Sequence, residues 1–171
     1  YRVKKEAGKN PGVILGAKKA IAEKLVFSKI KEKTGGRLKF MLSGGAALPK
    51  NVGEFFGDLG IKVLEGFGLT ESSPVLTFNP LGGTAKPGSI GIPMPSTDIQ
   101  IVDENGKEVN VGESGELIAK GPQIMLGYWN NAKESSATIK DGWLYTGDIA
   151  QMDEDGYFQI VDRKKDVILV S

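Results

Sequence analysis

The sequence predicts an α/β protein in two parts: a βαβ portion of a parallel-sheet subdomain over residues 1–78, then a small, distorted β-barrel subdomain over 79–161. Two observations carry this. A strand–helix–strand pattern fills 38–65, and its crossover is long enough to bring the second strand back parallel to the first. After about residue 80 the texture changes to short β-type runs separated by Asn-Gly and Asp-Gly turns.

The elements follow in order. "AKKAIAEKLVFSKIKEK" (17–33) sets Ile21, Leu25, Val26 and Ile30 near one helix face, with Gly35-Gly36 as its stop. "RLKFML" reads as a strand, followed by the loop "SGGAAL" and by Pro49 in the first turn of a helix. In that helix Val52, Phe55, Phe56 and Leu59 fall at i, i+3, i+4 and i+7, and Gly60 closes it. "IKVLE" is the next strand, ending in the glycine turn "GFGLTE". Because parallel strands share the edge at which their carboxyl ends lie, "SGGAAL" and "GFGLTE" are expected side by side, where open α/β sheets bind ligands. Farther along, "TDIQIVDENGKEV" and "DIAQMDEDGYFQIV" read as hairpins, "GELIAKG" as a strand, and "NNAKESSATIKDGW" as a helix begun by an Asn cap.

Composition excludes several classes of function. The hydrophobic share of 40% and charged share of 25% are those of a soluble globular protein. No run approaches the roughly 18 apolar residues of a membrane helix, and no targeting segment is visible. Without Cys there are no disulfides or zinc–thiolate sites, and without His the commonest general base is missing. A net charge of +1 gives no basic excess for nucleic acid, and Lys4-Lys5 and Lys18-Lys19 are isolated pairs that read as solvated surface. The chain opens in a charged segment and stops just after an apolar run, which reads as the middle of a longer protein.

Residue by residue, each functional reading has a plain structural rival. The backbone N–H groups of a glycine loop, with the Thr70 hydroxyl, can donate to phosphate oxygens, and Glu71 can share Mg²⁺ with them. Equally, Thr70 caps a turn and Glu71 is solvated. Phe67 can lie flat on a planar base or pack in a core. Gly44 and Gly45 let a backbone approach a ligand, or simply make a turn. Asp148 in "LYTGDIA" can accept from both ribose hydroxyls, or bond its own backbone. Arg163 in "VDRKKD" can donate to ribose or phosphate, or be surface charge. Trp129 and Trp143 read as packing residues.

Taken in order, "SGGAAL", "GFGLTE", "GELIAKGPQIMLGYW", "YTGD" and "DRKKD" resemble the adenylate-forming ligases, the superfamily of acyl-CoA synthetases, peptide-synthetase adenylation domains and firefly luciferase. "KPGSIGIPMPSTDIQIVD", "GPQIMLGYWNN" and "DEDGYFQIVDRKKDVILVS" look most like long-chain fatty-acid–CoA ligases, and the likeness runs from about residue 21 onward. The resemblance implies ATP, Mg²⁺, coenzyme A and a fatty acid as ligands, and an acid–thiol ligase reaction in two halves. It implies that Gly44, Gly45 and Ala46 border adenine, Phe67 stacks on it, and Glu65, Gly66 and Gly68 belong to the same nucleotide-binding set. Thr70 then contacts the α-phosphate and Glu71 holds Mg²⁺. Asp148 takes the ribose hydroxyls with Arg163 assisting, and 162–171 is a hinge, centred on Lys165, leading to a C-terminal domain beyond the sequence. The family's upstream phosphate loop and its C-terminal lysine are not in this sequence, so the chain alone is expected to be inactive. A cytoplasmic location, transient peripheral membrane contact and a homodimer are compatible with this reading. The rivals are a sibling ligase for medium-chain or aryl acids or for a carrier protein, a catalytically dead binding module, and an NAD-dependent oxidoreductase. The last lacks both the third glycine and the downstream acidic residue it would need.

Overall fold

The computed structural model describes residues 12–163 together with Gly8 and Asn10. Backbone contacts divide it into two compact units. One holds the described residues up to Met41 and Lys50–Val63; the other holds Leu42–Pro49 and everything from Leu64.

In the first unit, α1 (Val13–Ala22) and α2 (Ser28–Lys33) are joined by a π-helical turn over Glu23–Phe27. The helix expected over 17–33 is therefore longer and interrupted. Such a turn inserts a residue into the 3.6-residue period, which offsets the apolar stripe on its two sides. Ile21, Leu25 and Val26 accordingly lie 50–59% exposed, while Ile30 is half-buried. Both the N–H and the hydroxyl of Thr34 donate to the Ile30 carbonyl, and Gly35 and Gly36 take φ of +81° and +73° beyond it. Helix α3 (Lys50–Asp58) ends in a Schellman motif: Ile61 N–H donates to Phe56 O and Gly60 N–H to Gly57 O, with Gly60 at φ +75°. Leu59 and Ile61 are buried, but Phe55 of the expected stripe is 56% exposed and meets Phe56 edge to face.

The first sheet runs β1 (Phe40–Ser43), β2 (Lys62–Gly68), β3 (Val75–Phe78), β4 (Ile92–Pro93) in that spatial order, with the crossover through α3 giving its parallel part. The second is a curled half-barrel of β5 (Asp98–Val102), β6 (Gly115–Lys120), β7 (Ile139–Lys140), β8 (Trp143–Met152) and β9 (Phe158–Arg163). Its order is β5-β6-β8-β7, with β9 also on β8. Register shifts at Glu116/Ile118 and Ile149/Ala150 bend the central pair and its neighbour, as bulges do in barrels. Alternation along these strands sends Ile101, Leu117, Ala119, Ala150 and Phe158 into one core, which Leu76 of β3 joins.

Both expected Gly turns form by one device. In "DENGK" the Asp103 carboxylate accepts the N–H groups of Asn105 and Lys107; in "DEDGY" the Asp153 carboxylate accepts those of Asp155 and Tyr157. The second joins β8 to β9. The first closes only a bridge from Val102 to Glu108, because the long partner of β5 is β6. Helix α4 (Ala132–Thr138) starts as expected, with Asn131 Oδ1 accepting from Glu134 N–H at 3.2 Å, and is shorter than the sequence pattern suggested.

Strand β3, flanked by Pro74 and Pro80, has no counterpart in the sequence reading. It pairs antiparallel with β2 at Gly66–Phe78, Phe67–Thr77 and Gly68–Val75. Asn79, 1% exposed, fastens the chain that follows: its amide donates to Glu65 O and Ser89 O, and its carbonyl accepts Lys86 N–H. Ser89 to Gly91 are then stitched to Phe158, by Ile90 N–H and Ser89 Oγ to its carbonyl and by its own N–H to Gly91 O.

Candidate nucleotide site

Every candidate residue among those described lies in the second unit. The segment expected as a glycine turn is strand: β2 continues through Gly68, with a register shift between Phe67 and Gly68. Crowding by β3 gives the reason for its glycines. A Cβ on Gly66 would sit 2.4 Å from the Phe78 ring, and one on Gly68 would sit 1.7 Å from Pro74 O and 2.6 Å from its carbonyl carbon. Between them Phe67 is half-buried and packs against the barrel core. The loop after β1 does run beside β2: a Cβ on Gly44 would lie 3.4 Å from Gly66 O. Gly45, at φ +82°, and Ala46 are exposed there. Glu65 is committed to the fold, since its carboxylate accepts Gly88 N–H at 2.7 Å and its carbonyl accepts both nitrogens of Asn79.

Past Gly68, Leu69 is extended and Thr70–Ser72 form a 3₁₀ turn. Buried Ser72 ties this turn: its hydroxyl takes Leu69 N–H and donates to Leu69 O and Pro74 O. Thr70 stands exposed at the start of the turn and Glu71 is half-buried behind it. Glu71 is held from the "GPQIMLGYW" loop, its carbonyl accepting Met125 N–H at 2.8 Å and its Oε1 accepting the Tyr128 hydroxyl at 2.7 Å. That hydrogen bond, then burial, then the charge of Glu71 itself push the Tyr128 hydroxyl above its ordinary pKa. The sequence reading includes Tyr128 only within the "GPQIMLGYW" motif and gives it no role; it lies 57 residues from its partner.

Asp148 and Arg163 face each other across β8 and β9. Asp148 is 3% exposed, its Oδ1 accepts Arg163 Nε at 3.0 Å, and its Oδ2 is buried with no donor among the described residues. Thr146 and Gly147 shape the approach: the Thr146 hydroxyl donates to Leu117 O and accepts Asp148 N–H, while Gly147, at φ +74°, donates its N–H to Glu116. A buried carboxylate oxygen left unpaired is costly, so Oδ2 has room in its hydrogen-bonding for one further donor. A ribose hydroxyl has that chemistry. The Arg163 side chain remains 65% exposed. Of the aromatic residues expected to pack, Trp143 is half-buried, but Trp129 is 92% exposed, beside Leu126 on the same loop. Lys165 lies outside the described residues.

Glu71 suits a cation shared with a ligand. Among the described residues no three Asp, Glu, His or Cys side chains gather into a metal cage. Mg²⁺ typically takes one or two carboxylates and fills its remaining positions with phosphate oxygens and water, so one half-buried Glu beside an exposed Thr hydroxyl fits it. No helix among the described residues is long and apolar enough to cross a membrane.

The profile of the AMP-binding enzyme family matches residues 14–129. A long-chain-fatty-acid–CoA ligase of Yersinia pestis is 52% identical over 135 residues, which cover 78% of this chain and 24% of that protein. One from Bacillus subtilis is 52% identical over 134 residues, covering 77% and 24%. Among solved structures, ATP-bound MatB from Rhodopseudomonas palustris superposes with a TM-score of 0.75 at 34% identity, over 80% of this chain and 28% of that one. The chain thus spans about a quarter of the length of the proteins it matches.

Proposed function

The chain belongs to the AMP-binding enzyme family, and from that we propose that it is the nucleoside-holding part of an ATP-dependent long-chain fatty-acid–CoA ligase. The observation that carries the reading is Asp148: a buried carboxylate with one oxygen on Arg163 and the other unsatisfied. In the proposed reaction a fatty-acid carboxylate oxygen attacks the α-phosphorus of ATP, the bond to pyrophosphate breaks, and an acyl-adenylate forms. The thiol of coenzyme A then attacks the acyl carbon, and AMP leaves with the bonding pair.

Asp148 Oδ2 accepts a ribose hydroxyl, and Arg163 neutralises the carboxylate and holds its plane. The Phe67 ring covers the base, bordered by the backbone of Gly44, Gly45 and Ala46. Thr70 donates its hydroxyl to the α-phosphate. Glu71 holds Mg²⁺, which when bound supplies charge neutralisation for the phosphates. Glu65, Gly66 and Gly68 act through the fold, by keeping β2 and β3 close enough to present this edge. Chemistry of this kind asks for positioning and charge stabilisation, so the absence of His from this sequence is compatible with it. The hinge role of Lys165 and the division at 78/79 and 161/162 belong to the same proposal, as do a cytoplasmic enzyme, peripheral contact with bilayers through the acyl substrate, and a homodimer. Liposome flotation and sedimentation check the last two.

ATP–pyrophosphate exchange by the full-length gene product, across short, medium, long-chain and aromatic acids, tests the reaction. Exchange peaking with long chains and falling about 10- to 100-fold in Asp148→Ala, the loss of hydrogen bonds to a charged group, is expected. A peak with aromatic acids transfers the chain to a sibling ligase. No exchange from a folded protein that still binds ATP makes it a binding module.

A further inference from the structure

Glu71 is gripped from two directions by one loop, and the grip is more elaborate than a turn requires. Met125 N–H fixes its main chain and the Tyr128 hydroxyl fixes its carboxylate. The Tyr128 main chain is itself pinned, its N–H donating to Ser135 Oγ at 2.8 Å, and Ser135 Oγ in turn donates to Asn131 O at 2.7 Å. At Gly127 a Cβ would come within 2.9 Å of the Ser135 hydroxyl, so the loop excludes a side chain where it passes the pin.

We propose that Tyr128 is a positioning residue that sets the Glu71 carboxylate in one orientation, with Oε1 occupied and Oε2 left to face a divalent cation or its water; this rests on the reading of Glu71 as the Mg²⁺ holder. Two physical arguments support the choice of a tyrosine. A half-buried glutamate has three side-chain torsions, and a hydroxyl on a rigid ring whose main chain is pinned at its N–H removes most of that freedom before the ligand arrives. A phenol also donates without carrying positive charge. Lys or Arg in its place would neutralise the carboxylate and compete with the cation for it.

The test is ATP binding by the full-length protein, titrated calorimetrically at a series of Mg²⁺ concentrations, with thermal melting of each variant as control. Tyr128→Phe is expected to keep its melting temperature within a few degrees and to need roughly five- to tenfold more Mg²⁺ for half-maximal ATP binding, the range for losing one ordinary hydrogen bond. In a Glu71→Gln background the same substitution is expected to add nothing. An unchanged Mg²⁺ requirement in Tyr128→Phe overturns the proposal, as does a penalty that persists without the Glu71 charge. Should Tyr128→Phe fail to fold, Ser135→Ala, which keeps the phenol but loosens its anchor, is expected to shift the Mg²⁺ requirement in the same direction, and no shift overturns the proposal. If the unaltered protein binds ATP without regard to Mg²⁺, the reading of Glu71 itself falls and the role of Tyr128 falls with it.

Discussion

Gly68→Ala separates two explanations for a glycine beside a nucleotide site. If the glycine is there so that a ligand can come close, the added methyl should weaken ATP binding and leave the apoprotein stable. The structure puts the constraint inside the fold instead. A Cβ at residue 68 would lie 1.7 Å from Pro74 O and 2.9 Å from Val75 Cα, and both neighbours are backbone. Reaching even 3.0 Å requires a displacement of about 1.3 Å between β2 and the start of β3. Neighbouring strands sit roughly 4.8 Å apart, so a shift of that size opens the ladder. It also breaks the hydrogen bonds that Pro74 O receives from Leu69 N–H and the Ser72 hydroxyl. Two hydrogen bonds at about 1 kcal/mol each and an overpacking strain of about 1–3 kcal/mol give a loss of roughly 3–5 kcal/mol. Gly66→Ala should behave similarly but more mildly, since its closest neighbour is the edge of the Phe78 ring, which can turn. Gly45→Ala meets nothing within 4 Å and carries only left-handed strain, about 1–2 kcal/mol. Thermal or denaturant unfolding of the full-length protein without nucleotide should therefore rank Gly68→Ala below Gly66→Ala, and that below Gly45→Ala. A Gly68→Ala protein that unfolds like the parent but has lost ATP affinity would refute the strand-packing account.

Further outcomes follow from other residues. Asn79→Ala removes the partner of three backbone groups, leaving Ser89 O and Lys86 N–H to find water, and should cost roughly 3 kcal/mol in an unfolding titration. Asp153 is held below the ordinary carboxyl range, first by its hydrogen bond to Lys86 and then by Tyr157 N–H. A depressed folded-state value means the stabilisation is present above the unfolded carboxyl pKa and is lost as pH falls through the folded one. The melting temperature of Lys86→Met should therefore converge on that of the parent on acidification below about pH 4. Asn131→Ala strips the cap from α4 at a cost of about 1 kcal/mol, which hydrogen exchange should register as faster amide exchange over 132–138.

The elements legible in the sequence were those whose signal is local. Gly60 announces the end of α3, Asn131 the start of α4, and the Asp-x-x-Gly runs their turns, because each residue acts on backbone within five positions of itself. What the sequence hid was set by partners far along the chain. β3 is four residues between two prolines, and only its pairing with β2 makes it a strand. The Gly-Phe-Gly stretch looks like a turn until that neighbour crowds it. Tyr128 reaches Glu71 across 57 residues, and no periodicity encodes the contact. Trp129 departs the other way: size and apolarity predicted burial, and its place at the outer bend of a pinned loop leaves it 92% exposed. Asp148 stands out in the sequence as a carboxylate in a glycine turn, and likeness to a family then gives it a ribose role; its unsatisfied oxygen is visible only once β8 and β9 are paired.

The stitching of Ser89, Ile90 and Gly91 onto Phe158 has a consequence for how the chain is made. Ser89 Oγ waits for a carbonyl 69 residues downstream. At about 5–20 residues per second on a ribosome, that interval is roughly 3–14 s. Through most of it β3 and β4 have emerged while the Ser89 hydroxyl, the Ile90 N–H and the Gly91 carbonyl still lack their partner. The nascent chain therefore passes through an obligatory window of stickiness that closes only when β9 arrives. Slower translation through residues 92–158 widens that window, and holdase chaperones that bind exposed strands have their opportunity there.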